Sequence, residues 1–185
     1  MESGSAIMFF VFCCGEYNRL LSIAFCDYIR HRFANKINTM LNLEEEKSKF
    51  RFKMKLDIRW SDMDEMRHVN NAVYHTYTEQ ARINYFHDTL QLDWTKASFI
   101  LASAHIDYLK PLVFPSEAYI YLRCTKFGTK SFELQYLITV VEKGVENLSA
   151  SVVTTLVMFD YKTNKTEVMP ESIKETIRNY EPIKI

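Results

Sequence analysis

The sequence predicts an α+β fold in which one long helix packs against a mostly antiparallel sheet. Residues 52–60 alternate strictly between apolar and charged side chains, which is typical of a half-buried strand. Residues 71–90 repeat apolar side chains every three or four positions, which predicts a helix with one buried stripe. No βαβ alternation and no glycine-rich phosphate loop follow, so Rossmann and P-loop folds are excluded.

The helical stripe is rich in aromatic residues. It comprises Val73, Tyr74, Tyr77, Ala81, Tyr85 and Phe86. The strands expected after the helix are bounded by glycine or proline turn signals, and they lie at 98–108, 117–127, 132–140, 148–159 and 166–169. Segment 148–159 is apolar on both faces, as a central strand would be. We therefore expect five or six strands wrapped around the helix, and a terminal helix at 172–178.

Composition points to an ordinary globular domain without a nucleic-acid partner, because the formal net charge is +0. The expected domain spans 51–170, between an N-terminal extension over 1–50 and a C-terminal helix and tail over 171–185. Four cysteines without metal-ligand spacing predict reduced thiols in a cytoplasmic protein, and they are Cys13, Cys14, Cys26 and Cys124.

The extension is open to three interpretations: an organelle-targeting segment, an accessory helix, or an upstream start codon before Met40. Its apolar run at 6–14 is shorter than the about 20 residues that span a bilayer, so no membrane span is expected. Residues 43–49 are predicted as a charged linker or a short helix.

The connection between the first strand and the helix, 61–70, concentrates polar side chains where catalytic loops commonly lie. Asn70 and Asn71 stand at the helix start, and asparagine is a good N-cap. The same helix end offers free N–H groups and a positive dipole to a developing oxyanion. Asp64, a few residues upstream, could act there as nucleophile or as general base towards water. Capping alone and catalysis both stay open at this point.

Other polar residues of this region have two interpretations each. His68 either shares a proton with the site or is a surface residue. Asp62 is expected to be solvated or turn-forming, and Glu79 is a second carboxylate or an exposed partner of Arg82. Cys124 is expected in the core. No serine elbow, HExxH or paired CxxC motif is present, which argues against a Ser-His-Asp triad and a metal hydrolase.

The loop and helix together resemble the hot-dog-fold acyl-CoA thioesterases of the 4-hydroxybenzoyl-CoA thioesterase type. The matching segments are Arg-Trp-Ser-Asp-Met-Asp at 59–64, His-Val-Asn-Asn at 68–71, then Tyr74, Glu79, Ala81-Arg82 and Tyr85-Phe86. The resemblance extends to the strand ending at 106–111 and the hairpin turn at 127–131, and it covers about 52–167.

The resemblance implies a helix wrapped by an antiparallel sheet and a homodimer or tetramer formed through sheet pairing, with sites at the dimer interface. It implies hydrolysis of acyl-CoA or acyl-carrier-protein thioesters to acid and thiol, without metal or organic cofactor. The family's catalytic carboxylate aligns with Asp64 and its carbonyl-polarising amide with Asn71. His68 belongs to the motif with a role that varies among relatives.

Further substrate contacts are predicted at the helix and at one hairpin turn, namely Asn70, Tyr74, Glu79, Gly128, Thr129, Lys130 and Ser131. Pro115-Ser116-Glu117 replaces a Gly-Asp turn of the family, which changes the expected contacts to the CoA arm. The alternatives are a non-catalytic acyl-CoA-binding hot-dog module and a hot-dog dehydratase or hydratase. A dehydratase would place a catalytic histidine where this chain has the Asp64 loop, so Asp64 favours hydrolysis.

Overall fold

The computed structural model describes residues 43–92 and 98–182. Its helices are α1 (Leu43–Ser48), a 3₁₀ turn (Trp60–Asp62), α2 (Asn71–Asn84) with a π-helical continuation (Tyr85–Thr89), and α3 (Glu171–Tyr180). Its strands are β1 (Phe52–Leu56), β2 (Phe99–Tyr108), β3 (Ala118–Phe127), β4 (Ser131–Glu142), β5 (Val145–Asp160) and β6 (Lys165–Thr166).

The six strands form one sheet in the order β1-β3-β4-β5-β2, with β6 beside β5. Every pairing is antiparallel. The hairpin between β4 and β5 turns through Lys143 and Gly144, whose φ angles are 52° and 79°. Two positive φ angles suit the twist of a two-residue hairpin turn. The predicted α+β fold with five or six antiparallel strands is confirmed.

The helix α2 and its continuation contribute four buried aromatic side chains to the core. Tyr74, Tyr77, Ala81, Tyr85 and Phe86 are all buried, as the apolar stripe predicted. They pack in one cluster with apolar side chains of the sheet. At about 25 cal/mol per Å² of buried apolar surface, side chains of this size are the main source of stability.

Two predicted strands are shorter than expected. The first ends at Leu56, because the chain enters the 3₁₀ turn and leaves Trp60 73% exposed instead of on the apolar face. The last is reduced to Lys165–Thr166, since the amide of Met169 donates to the Thr129 carbonyl rather than to a strand.

The opposite face of the sheet carries a second, smaller apolar cluster of Phe50, Tyr121, Leu137 and Leu148. The segment at 43–49 is a helix rather than a linker, and its Lys47 forms an ion pair with Glu146 at 2.9 Å.

The C-terminal helix α3 inserts side chains into the main core. Ile173 and Ile177 are buried there, and Cys124 is buried as expected. Interpretations of residues 1–42, including three of the cysteines, lie outside the described residues. Within the described ranges, no helix has the length and hydropathy needed to cross a membrane.

Candidate active site

The loop before α2 folds into a tight hairpin with Asp64 at its turn. Met63 and Val69 face each other in an antiparallel bridge. The Asp64 amide donates to the His68 carbonyl at 2.8 Å, and the Arg67 amide donates to the Asp64 carbonyl at 3.0 Å. These bonds hold Asp64 at a defined position relative to the start of the helix.

Two further backbone bonds fasten the hairpin to its neighbours. The Asn70 amide donates to the Asp62 carbonyl, and the Val69 amide donates to the carbonyl of Leu112, both at 2.9 Å. Leu112 follows β2 and is fully buried. The hairpin is therefore fixed between the end of the first strand, the start of α2 and the segment after β2.

Asp62 is buried in the 3₁₀ turn, so of its two expected roles the turn-forming one is confirmed and the solvated one is wrong. It is 4% exposed and accepts hydrogen bonds from the Arg59 amide and the Tyr77 hydroxyl, both at 2.8 Å. The Arg59 guanidinium lies 3.0 Å away. Burial opposes ionisation of Asp62, but these donors and the cation outweigh it, so the pKa of Asp62 is held below its ordinary value. Asp62 is thus an ionised anchor between the 3₁₀ turn and α2.

Asp64, in contrast, is partly exposed. Its Oδ1 accepts from the Met66 amide at 2.8 Å, and the His68 amide lies 3.5 Å away. Its Oδ2 accepts no hydrogen bond within the described residues. A pocket of about 610 Å³ opens beside Asp64, and its other lining residues are Trp60, Ser61, Met63, Arg67 and Phe114. The carboxylate therefore faces a space where a ligand can approach it.

The start of α2 keeps one donor available. Asn70 is the N-cap, and its side chain accepts from the Ala72 amide at 2.9 Å. The Asn71 amide has no acceptor within 43–92 and 98–182. The Tyr108 hydroxyl donates to the Asn71 carbonyl at 3.1 Å, and the Tyr108 ring packs edge-on against Tyr74. The helix end thus has a fixed peptide and a free N–H, which suits an oxyanion.

The other predicted site residues of the loop and helix make no contact with this pocket. The His68 side chain is exposed and has no hydrogen bond within the described ranges, while its backbone closes the hairpin. Glu79 is 63% exposed, and its carboxylate lies 3.9 Å from the Arg82 guanidinium, as in the exposed-partner interpretation. Tyr74 is 2% exposed and packs in the core.

The hairpin turn at 128–131 contacts the β6 strand rather than the pocket beside Asp64. The Lys130 ammonium donates to the Thr166 carbonyl and hydroxyl at 3.0 and 3.1 Å. A Cβ on Gly128 would lie 2.8 Å from the Ser131 hydroxyl oxygen and 3.3 Å from the Ser131 carbonyl oxygen, so a side chain there would displace the Ser131 hydroxyl. A substrate contact of these residues stays a prediction.

Of the six lining residues, the sequence analysis predicted only Asp64 as a site residue. Trp60, Ser61 and Met63 lie in the motif at 59–64 without an assigned role, and Arg67 is one charge among several in the loop. Phe114 lies about fifty positions further along the chain, where no local pattern marks it. Among the described residues, no group of three or more His, Cys, Asp or Glu side chains could hold a metal ion.

The fold and this loop define the class of protein. The model of the thioesterase-like superfamily matches residues 58–177, and the chain belongs to that family. The match includes the Asp64 hairpin, α2 and all strands after it, and the helix wrapped by the antiparallel sheet is a hot-dog fold.

Similar proteins include enzymes named as thioesterases. The chain is 26% identical over 125 residues to the long-chain acyl-CoA thioesterase FadM of Escherichia coli, covering 66% of this chain and 93% of FadM. It is 33% identical over 95 residues to the uncharacterised protein YsmA of Bacillus subtilis, covering 51% of this chain and 65% of YsmA.

Solved structures give the same family. A thioesterase from Thermus thermophilus, crystallised with coenzyme A and zinc, is 32% identical with a TM-score of 0.64, covering 73% of this chain and 98% of its own. The probable thioesterase YbaW from E. coli is 25% identical with a TM-score of 0.61, covering 68% and 96%.

Proposed function

We propose that this protein hydrolyses acyl-CoA or acyl-carrier-protein thioesters, with Asp64 as the catalytic carboxylate and the Asn71 amide as the oxyanion donor. The single observation that carries the proposal is the hairpin, which presents a partly exposed Asp64 to an open pocket and leads directly into the start of α2, where the Asn71 N–H has no acceptor among the described residues. FadM supports acyl-CoA as the substrate class, because it is similar to this chain over 125 residues and is named for that activity.

The reaction needs a nucleophile and a place for negative charge. Asp64 takes a proton from water while the water oxygen attacks the carbonyl carbon, or its own oxygen attacks directly. The carbonyl oxygen becomes an oxyanion, which the Asn71 N–H and the positive end of the helix stabilise. The carbon–sulfur bond then breaks and the thiolate leaves. If Asp64 acted as the base, the acid is released at once and the proton that Asp64 took from water passes to the thiolate. If Asp64 attacked directly, an acyl–Asp64 anhydride remains, and a water molecule hydrolyses it to the acid and supplies the proton that the thiolate takes.

Replacing Asp64 by asparagine tests this assignment. Asparagine keeps an oxygen that can accept from the Met66 amide, so we expect the hairpin to stay closed. Because the base or nucleophile is lost, kcat on an acyl-CoA panel should fall by about 10²–10⁴-fold. Thiol release measures the rate, and circular dichroism verifies folding.

The neighbouring exposed acid provides the matched control. Glu65→Gln removes the same charge one position away and should leave kcat within about twofold, since exposed surface substitutions have small effects. A folded Asp64→Asn enzyme working at the wild-type rate would refute the role of Asp64. Wild-type protein that binds acyl-CoA without turnover would indicate an acyl-binding module instead.

A homodimer formed through the sheet edge is part of the proposal. The edge strand β1 carries Lys53 and Lys55, charges of the kind that discourage edge pairing. The other edge strand, β2, is uncharged over Leu101–Ala104, and these side chains are exposed. We expect β2 to pair with its copy, and light scattering of the full chain should give twice or four times the chain mass. A monomer at micromolar concentration contradicts this part.

A further inference from the structure

Arg67 occupies a backbone position that does not suit its residue type. Its φ angle is 62°, in the left-handed region that glycine and asparagine favour. A side chain with a Cβ is strained there, and arginine has no short polar group to bond locally. The hairpin alone therefore gives no reason for an arginine at its turn.

The Arg67 side chain also lacks a partner within the protein. It is exposed, and its guanidinium has no ion pair or hydrogen bond within 43–92 and 98–182. It lines the pocket that contains Asp64, together with the apolar side chains of Trp60 and Phe114. Among the described residues of that lining, Arg67 and Asp64 are the charged ones. A cation without a partner in the described part of the chain, held at a positive φ beside the candidate nucleophile, is available for an anionic ligand.

The openness of the pocket indicates which part of a thioester it receives. An acyl chain gains most from an enclosed apolar cavity, whereas a thiol carrier must extend into solvent. This pocket is open on one side, and exposed Trp60 and Phe114 offer apolar area to the arm that leads away from the thioester. The planar guanidinium of arginine matches a phosphate with two parallel hydrogen bonds.

We propose that the pocket of Trp60, Arg67 and Phe114 binds the phosphopantetheine arm of the substrate and that Arg67 binds the arm's phosphate. This inference rests on the proposed thioesterase function and names the part of the substrate that the exposed side of the site recognises. Coenzyme A and acyl carrier proteins share this phosphate, so the site serves either carrier.

Arg67→Gly is the decisive variant, because glycine fits the positive φ and should leave the hairpin folded. The measurement is the ratio of kcat/KM for an acyl-phosphopantetheine to kcat/KM for the same acyl group on N-acetylcysteamine, which has no phosphate. Losing a charge-assisted contact should lower this ratio about tenfold, mainly through KM. Arg67→Lys keeps the positive charge but loses the two parallel N–H donors of the guanidinium, so it should restore part of the kinetic ratio.

Lys143→Gly is the matched control. Lys143 is another exposed cation with a positive φ of 52°, in the turn between β4 and β5. Its replacement relieves the same backbone strain outside the pocket, so the kinetic ratio should not change. A changed ratio in Lys143→Gly would remove the case for a phosphate contact at Arg67.

Three results would overturn the inference. The ratio could stay at its wild-type value in Arg67→Gly, or the change could occur only with acyl-CoA, which would assign Arg67 to the nucleotide phosphates. Alternatively, KM could rise for a dicarboxylic acyl group on N-acetylcysteamine, which would make Arg67 a carboxylate site. Failure of the proposed function looks different, because wild-type enzyme would then hydrolyse none of these thioesters, or Asp64→Asn would remain active.

Discussion

The long helix is anchored by one buried carboxylate near each end, and the pKa values of the two carboxylates are shifted in opposite directions. Asp62 accepts from the Tyr77 hydroxyl in the first half of α2. Glu181 accepts from the Tyr85 hydroxyl at 2.5 Å and from the Cys124 amide at 2.8 Å at the other end. The pKa of Asp62 lies below its ordinary value, while burial raises the pKa of Glu181 in spite of its hydrogen bonds.

The Arg59 guanidinium explains why the two pKa values shift in opposite directions. Asp62 has the Arg59 guanidinium at 3.0 Å, whereas Glu181 has no ion pair in the described part of the chain. Hydrogen bonds from neutral donors offset only part of the desolvation of a buried carboxylate. The cation therefore lowers the pKa of the carboxylate beside the candidate active site, whereas burial raises the pKa of the carboxylate at the far end.

Removing the charged anchor should have the larger effect. Asp62→Ala leaves the Tyr77 hydroxyl and the Arg59 amide without their acceptor, which costs about 2 kcal/mol of unfolding free energy. The 61% exposed Arg59 stays solvated, so the full penalty of a broken buried ion pair is not expected. Because the Asp64 hairpin loses its support, kcat/KM should also fall by about tenfold or more.

Urea unfolding at neutral and acidic pH measures this prediction. The lowered pKa of Asp62 adds stability above its ordinary value near 3.8, and this stability is lost as the pH falls through the folded-state pKa. The unfolding free energy of Asp62→Ala should therefore depend less on pH in the acid range than that of the wild type. Asp57→Ala, an exposed acid on the same segment, should change stability by less than about 0.5 kcal/mol. Equal losses in the two variants would contradict the role of Asp62 as an anchor.

Replacing Glu181, the anchor with the raised pKa, should have a smaller effect, with the opposite dependence on pH. Glu181→Gln keeps an acceptor oxygen and should shift the unfolding free energy by less than about 1 kcal/mol at acidic pH. The raised pKa of Glu181 means that its favourable contribution is present below its ordinary value near 4.5 and is lost as the pH rises through the folded-state pKa. The unfolding free energy of the Glu181→Gln variant should therefore increase relative to that of the wild type as the pH rises through this pKa.

Thermal unfolding of the wild type and of Glu181→Gln between pH 4 and 8 measures the difference in their stability. The control is Glu175→Gln, which changes an exposed carboxylate of α3. Its thermal stability should have the same pH dependence as that of the wild type across this range. If the stability of Glu181→Gln has the same pH dependence as that of the wild type, the pKa of Glu181 is not raised in the fold, and the contrast with Asp62 does not hold.

Local pattern was enough to predict the elements that carry the site. The aromatic stripe of α2 follows from a 3.6-residue period, which depends only on residues within the helix. Asn70 as N-cap follows from the chemistry of one side chain and the next two amides. The family resemblance of the loop added Asp64 as the expected catalytic carboxylate, and the hairpin geometry around it supports that proposal.

The sequence by itself thus determined the fold class, the helix start and the position of the polar loop. Only the tertiary structure decided that Asp62 is buried, because Tyr77 and Arg59 surround it from two elements. Likewise, Phe114 meets Trp60 and Arg67 in one pocket only after β2 has returned the chain to the loop. Burial and pockets depend on contacts between distant segments, and periodicity along one segment carries no information about them.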